Sequence, residues 1–218
     1  TKRNVDPITL SVLRSALAGI AEEMGTVLVR SAYSSNIKER RDCSAALFTP
    51  SGEMAMQAEH IPVHLGAMPA AVAAVLREDH APGRSWILND PYSGGTHLPD
   101  ITLITPSFDD SGRLLGFAAN RAHHADVGGS VPGSMPADST RLDQEGVIIE
   151  PRVLDDETLE LITTKMRQPE QRRADLRAQL AANRIAPIAD IADQLPVDLF
   201  KRGVRGDAAA VSGALPIR

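Results

Sequence analysis

Two apolar runs, residues 101–105 and 114–120, flank Asp109-Asp110-Ser111-Gly112, and no other pattern restricts the chain as tightly. Aspartate, serine and glycine are turn-formers, and a turn between two β-prone runs predicts an antiparallel hairpin. If the strands pair about a turn near Asp110 and Ser111, Asp100 falls opposite a residue close to Arg121, within two positions of His123. Both open ends of the hairpin then deliver polar side chains to one place.

The other elements are expected to pack around that hairpin. Asp6-Pro7 is a helix start, because aspartate caps free N–H groups and proline is tolerated in the first turn. Leu10, Leu13, Leu17, Ile20, Met24 and Leu28 recur at steps of three and four, placing one apolar face on a helix to about Ser31. Residues 45–48 and 53–56 around Thr49-Pro50-Ser51-Gly52 predict a second hairpin. Residues 67–77 read as a buried helix, 86–88 as a short buried strand, 146–149 as a further strand, and 157–166 and 170–183 as two more helices. Together these predict an α+β fold in which antiparallel hairpins carry loops and helices pack around them.

Composition removes several function classes. With 218 residues, 43% of them hydrophobic, the chain can bury a real core. A net charge of -5 without a lysine and arginine stripe argues against nucleic acid. No apolar run approaches the roughly 20 residues that cross a bilayer. The start of the chain lacks the apolar core of a signal peptide, and the single cysteine, Cys43, cannot form an internal disulfide. A cytoplasmic setting is expected, with Cys43 as a small buried hydrophobe. No phosphate-binding G-x-x-x-x-G-K-[ST] loop, G-x-G-x-x-G or G-x-S-x-G elbow occurs.

The chemistry concentrates in loops. All six histidines lie between His60 and His124. In Gly95-Thr96-His97-Leu98-Pro99-Asp100, a histidine and a carboxylate three apart can reach one ion. His97, Asp100 and His123 would supply two imidazole nitrogens and one carboxylate, a set that suits Zn, Mn, Fe or Co and leaves coordination positions open. Asp126 is the expected partner that fixes the tautomer of His123, whereas strand alternation sends His124 to the other face. Pro62 excludes a regular helix through His60 and His64. Glu59, His60 and His64 are candidates for acid–base or substrate-orienting roles, with packing at the start of the next helix an equal alternative for His64. Asp42, after Arg40 and Arg41, reads on sequence alone as half of a surface ion pair.

Four motifs make the chain recognisable. Asn36-Ile37-Lys38-Glu39-Arg40-Arg41-Asp42, Gln57-Ala58-Glu59-His60-Ile61-Pro62-Val63-His64-Leu65-Gly66, Asn89-Asp90-Pro91-Tyr92 through Gly94-Gly95-Thr96-His97-Leu98-Pro99-Asp100, and Asn120-Arg121-Ala122-His123-His124-Ala125-Asp126-Val127-Gly128-Gly129 strongly resemble the hydantoinase B / 5-oxoprolinase family. The resemblance implies metal ligands at His97, Asp100 and His123, and it adds Asp42. It implies a metal-dependent subunit of an ATP-dependent hydrolase of hydantoin, oxoproline or lactam rings. A separate hydantoinase A-type subunit would use the ATP, and the two would form a hetero-oligomer. The same family includes ketone carboxylases, the alternative activity, and a shortened, inactive partner-binding form is a third reading. The resemblance covers residues 1–184 as a hydantoinase B-like N-terminal region. Residues 185–218 read as a divergent tail, consistent with truncation or a frameshift.

Overall fold

The Asp6 carboxylate accepts hydrogen bonds from the Ile8 and Thr9 amides, each 3.0 Å long, and so opens the helix the sequence predicts. The structure, a computed structural model, describes residues 6–59, 64 and 66–185. Helix α1 spans Pro7–Ser31 and buries Leu13, Leu17, Ile20, Met24 and Leu28, while Leu10 is only half-buried. A single turn, α2 (Ser35–Lys38), leads into strand β1 (Cys43–Phe48) and its hairpin partner β2 (Met54–Glu59). Then follow α3 (Met68–Val75), β3 (Trp86–Leu88), β4 (Asp100–Phe108), β5 (Leu114–His123), β6 (Arg152–Val153), α4 (Asp156–Thr163) and α5 (Pro169–Arg184). Among the described residues no helix is long and apolar enough to cross a membrane.

The strands form one antiparallel sheet in the order β2-β1-β5-β4-β3-β6. Side chains alternate between its faces, and each face has its own cover. On one face Ala46, Phe48, Trp86, Leu88, Ile104, Phe117 and Ala119 pack against Met68, Ala71, Val72 and Val75 of α3. On the other, Ala45, Leu47 and Ala118 meet Leu17, Ile20 and Met24 of α1, while Cys43 and Ala122 meet Leu28, Ala178 and Ala182. Fully burying one such leucine contributes about 1.5–3 kcal/mol. The α+β class and both predicted hairpins are therefore present.

Two expectations need correction. The open end of the β4–β5 hairpin pairs Asp100 directly with His123, not with the neighbourhood of Arg121. The turn closes between Asp109 and Arg113, one position later than its aspartates suggest, and an irregularity between Ser107 and Phe108 supplies the second position. Residues 146–149 are not a ladder strand. Only an isolated bridge joins Gly128 to Gly146, and the Asn89 side chain takes the Val147 carbonyl and the Ile149 amide, so no sheet neighbour is needed there. The edge strand is β6, paired with β3. The expected tail lies outside the described residues beyond Ile185.

Candidate metal centre

The α3 face changes character along its length. Cross-strand partners point to the same side of a sheet, so the register can be read as rows. Phe48, Phe117 and Pro106 form one row and Ala46, Ala119 and Ile104 the next, both under α3. The third row is Ser44, Arg121 and Thr102, polar yet buried. Beyond it stand His123 and Asp100, and Asp42 joins them because its carbonyl accepts from the His123 amide at 3.0 Å. A cluster of ionisable groups thus sits where the apolar cover ends.

The loop before β4 supplies His97. It is tightly fixed rather than slack. The Asn89 amide group donates to the Leu98 carbonyl at 2.8 Å, and Asp90 accepts from the Tyr92 amide and the Ser93 hydroxyl. Gly94 has a left-handed φ of 97°. A Cβ there would lie 2.6 Å from the backbone of α3, and one at Gly95 would lie 2.2 Å from the Asn89 carbonyl. Only glycine fits either position. The Asp100 amide bonds back to the His97 carbonyl at 3.0 Å, which folds the His97 side chain over Asp100.

Five side chains converge. His97 Nδ1 lies 2.9 Å from Asp100 Oδ2, and His123 Nδ1 lies 3.6 Å from Asp100 Oδ1 and 3.7 Å from Asp42 Oδ2. His64 Nε2 lies 3.6 Å from Asp100 Oδ2 and 3.7 Å from Asp42 Oδ1. The other nitrogen of His64 is engaged by the Ser44 hydroxyl at 3.0 Å, and the Thr96 hydroxyl donates to Asp100 at 2.6 Å. Two buried atoms that face this space have no hydrogen-bond partner: Asp100 Oδ1 and His64 Nε2. Burial alone would push the Asp100 carboxyl up, but the facing imidazoles of His123, His64 and His97 outweigh it and hold the group below the usual carboxylate range. The Asp100 hydrogen bond raises the His97 imidazole above its ordinary value, against the opposing effect of burial.

The predicted residues separate clearly. Asp42, His97, Asp100 and His123 are brought together, and His64 joins them instead of merely packing at a helix start. Asp42 faces two imidazoles, which replaces the surface ion pair suggested by its arginine neighbours. Asp126 is not brought to His123. Its carboxylate is taken by the amides of Gly128, Gly133 and Arg167 and by the Arg167 guanidinium at 2.9 Å, so it organises the glycine loop. His124 does turn to the opposite face, as alternation requires, and its Nε2 meets Gln179 Oε1 at 2.8 Å. Glu59 ends β2 opposite Ser44, with its side chain outside the described part, and His60 lies outside the described residues. Sequence reasoning missed Ser44, Thr96 and Arg121. Ser44 stands two residues after Asp42, and that same-face spacing was the available signal.

Comparison with known proteins shows the family and the fold. The model of the family described as Hydantoinase B/oxoprolinase matches residues 6–201. The chain belongs to that family. Among relatives in the hydantoinase B/oxoprolinase family, 5-oxoprolinase 1 of Arabidopsis thaliana is 42% identical over 212 residues, covering 87% of this chain and 17% of the plant protein. The caprolactamase subunit beta of Pseudomonas jessenii is 33% identical over 205 residues, covering 89% of this chain and 35% of that one. The crystal structure of the ATP-dependent caprolactamase from Pseudomonas jessenii superimposes with a TM-score of 0.85 at 31% identity, over 93% of this chain and 37% of that chain. The chain thus spans about a third or less of the length of these curated relatives.

Proposed function

We propose that this chain carries the metal-binding centre of an ATP-dependent cyclic-amide hydrolase that works with a separate, hydantoinase A-type subunit. The observation that carries the metal assignment is the convergence of Asp42, His64, His97, Asp100 and His123 with Asp100 Oδ1 and His64 Nε2 left unpartnered in a buried place. The donors form two groups that share Asp100, one of His97, Asp100 and His123 and one of Asp42, His64 and Asp100. The donor types of each suit a divalent transition ion such as Zn, Mn, Fe or Co. Such an ion supplies Lewis acidity, which polarises a carbonyl and makes a water easier to deprotonate.

The chain's own residues prepare that chemistry. Thr96 orients the Asp100 carboxylate by donating to Oδ2, leaving Oδ1 free. Ser44 fixes the His64 ring, so that Nε2 faces the cluster and can bind an ion or take a proton. The names of the relatives, 5-oxoprolinase and caprolactamase, support a ring amide as substrate. The sequence carries no recognisable phosphate-binding loop, which fits ATP being used by a partner subunit. The test is metal analysis of the purified chain and of His97→Ala, followed by lactam turnover with the partner. Bound metal in the wild type and its loss in the variant are expected. Equal, negligible metal in both under metal-replete conditions would sink the assignment.

A further inference from the structure

The cluster leaves one buried charge unused. Arg121 lies on β5 two residues before His123, hence on the same sheet face, with Ser44 opposite it on β1 and Thr102 opposite it on β4. It is completely buried. Its Nε donates to Thr102 Oγ1 at 2.8 Å and its Nη2 to the Gly94 carbonyl at 2.9 Å, while Nη1 has no partner. Both acceptors are neutral. Withdrawing a guanidinium from water costs several kcal/mol unless a negative charge meets it. The two hydrogen bonds do not supply one, and the carboxylate whose charge reaches Arg121 is Asp100 of the cluster.

A cation bound to Asp100 would cancel the charge that Arg121 now faces. Gly94 opens the loop that carries Thr96 and His97 to Asp100, so the guanidinium sits at the base of the cluster, in the row directly behind it. The two titratable groups of the cluster that sense its charge are Asp100 and His97. Asp42 and Asp100 contribute two negative charges, which a divalent ion cancels. Arg121 then leaves the centre with one net positive charge and an Nη1 whose two N–H donors are uncommitted. A centre built for neutral ligands gains nothing from a buried cation in this place.

We propose that Arg121 makes the centre an anion site, in which a carboxylate or phosphoryl oxygen of the ligand is met by Nη1 while the metal holds its neighbour. The inference rests on the metal reading above and narrows its substrate class to anionic ligands. Planar guanidinium groups suit such oxygens because their donors lie in one fixed fork.

The test uses the full chain loaded with Zn or Mn, titrated calorimetrically at fixed ionic strength with inorganic phosphate, acetate and neutral acetamide. Phosphate and acetate are expected to bind at least tenfold more tightly than acetamide. Arg121→Gln is expected to weaken phosphate by at least tenfold at unchanged metal content, and Arg121→Lys to recover only part of that loss, because lysine keeps the charge without the fork. A loop-holding role alone would leave the phosphate affinity of folded, metal-loaded Arg121→Gln unchanged, and that result overturns the proposal. Should Arg121→Gln not fold, the wild-type comparison decides, because acetamide binding as tightly as phosphate overturns it equally. Absence of metal from the wild type sinks the metal reading and this inference with it. A metal-loaded wild type that ignores phosphate sinks the inference alone.

Discussion

Two clusters of buried polar side chains, an amide triad on one face of the sheet and the donor cluster on the other, treat their hydrogen-bonding groups in opposite ways, although His124 Nδ1, Arg172 Nε and Nη1 and Asp175 Oδ2 beside the triad also lack partners. On the α5 face, Asn120, Gln179 and Asn183 exchange every amide they have. Gln179 Nε2 donates to the Ile101 carbonyl and to Asn120 Oδ1, Asn120 Nδ2 donates to the Gln179 carbonyl and to Asn183 Oδ1, and Asn183 Nδ2 reaches the Leu103 carbonyl. On the other face, Asp100 Oδ1, His64 Nε2 and Arg121 Nη1 stand without partners. A buried polar group that finds its partner within the chain is architecture, whereas several unpartnered ones facing a common space indicate a ligand. Residues on one β5 strand take part in both, Asn120 in the first and Arg121 and His123 in the second.

The contrast can be broken from either side. The largest stability loss is expected for Gln179→Leu, which strips partners from Asn120 Oδ1, the Ile101 carbonyl and His124 Nε2. At about 1–3 kcal/mol per orphaned group the cost is at least about 3 kcal/mol, read as a lower denaturant midpoint with or without metal. Asp100→Asn should do the reverse. Metal affinity falls about 10–100-fold by calorimetry, while the metal-free protein loses less stability than Gln179→Leu, because an asparagine can still accept from Thr96. A metal-free Asp100→Asn protein that unfolds as easily as Gln179→Leu would erase the distinction between the faces. Ser44→Ala should weaken metal by about tenfold by freeing the His64 ring.

The remaining test is a pH dependence. Burial pushes the His124 imidazole down to about 4 from its ordinary 6.5, although Asp175 and Gln179 pull it upward. The unfolded chain therefore binds this proton at a higher pH than the folded one. The contribution is fully present above about 6.5 and is lost as pH falls toward about 4. The thermal midpoint of the metal-free protein should drop across that window, and His124→Gln should flatten the drop. An unchanged slope in the variant would remove His124 from the account.

Much of this was written locally in the chain. The capping aspartate of α1, the turn at residues 109–112 and the histidine-bearing loops are short-range signals, and each produced the element expected of it. What escaped depended on pairing between distant segments. Asp42 looked like an ion pair because its arginine neighbours are visible in sequence, while β5, which brings His123 beside it, is not. His64 gained its role only because β1 placed Ser44 within reach. The register of the central hairpin needed a bulge that no residue type announces. Residues 146–149 bond instead to the Asn89 side chain, to the Asn89 and Asp90 amides and to the Val127 carbonyl, contacts that periodicity does not record.

The register that sets Asp100 opposite His123 also dictates an order of assembly. His97, Asp100 and His123 ride on one hairpin and its adjoining loop, so closing that hairpin alone brings three donors together, a short-range event that costs little chain entropy. Asp42 and His64 arrive only when β1 finds β5, a pairing between the beginning of the chain and its middle. Three of the five donors are therefore in place before the molecule is complete, and a cation captured by the nascent hairpin would be a guest that helps to build its own room.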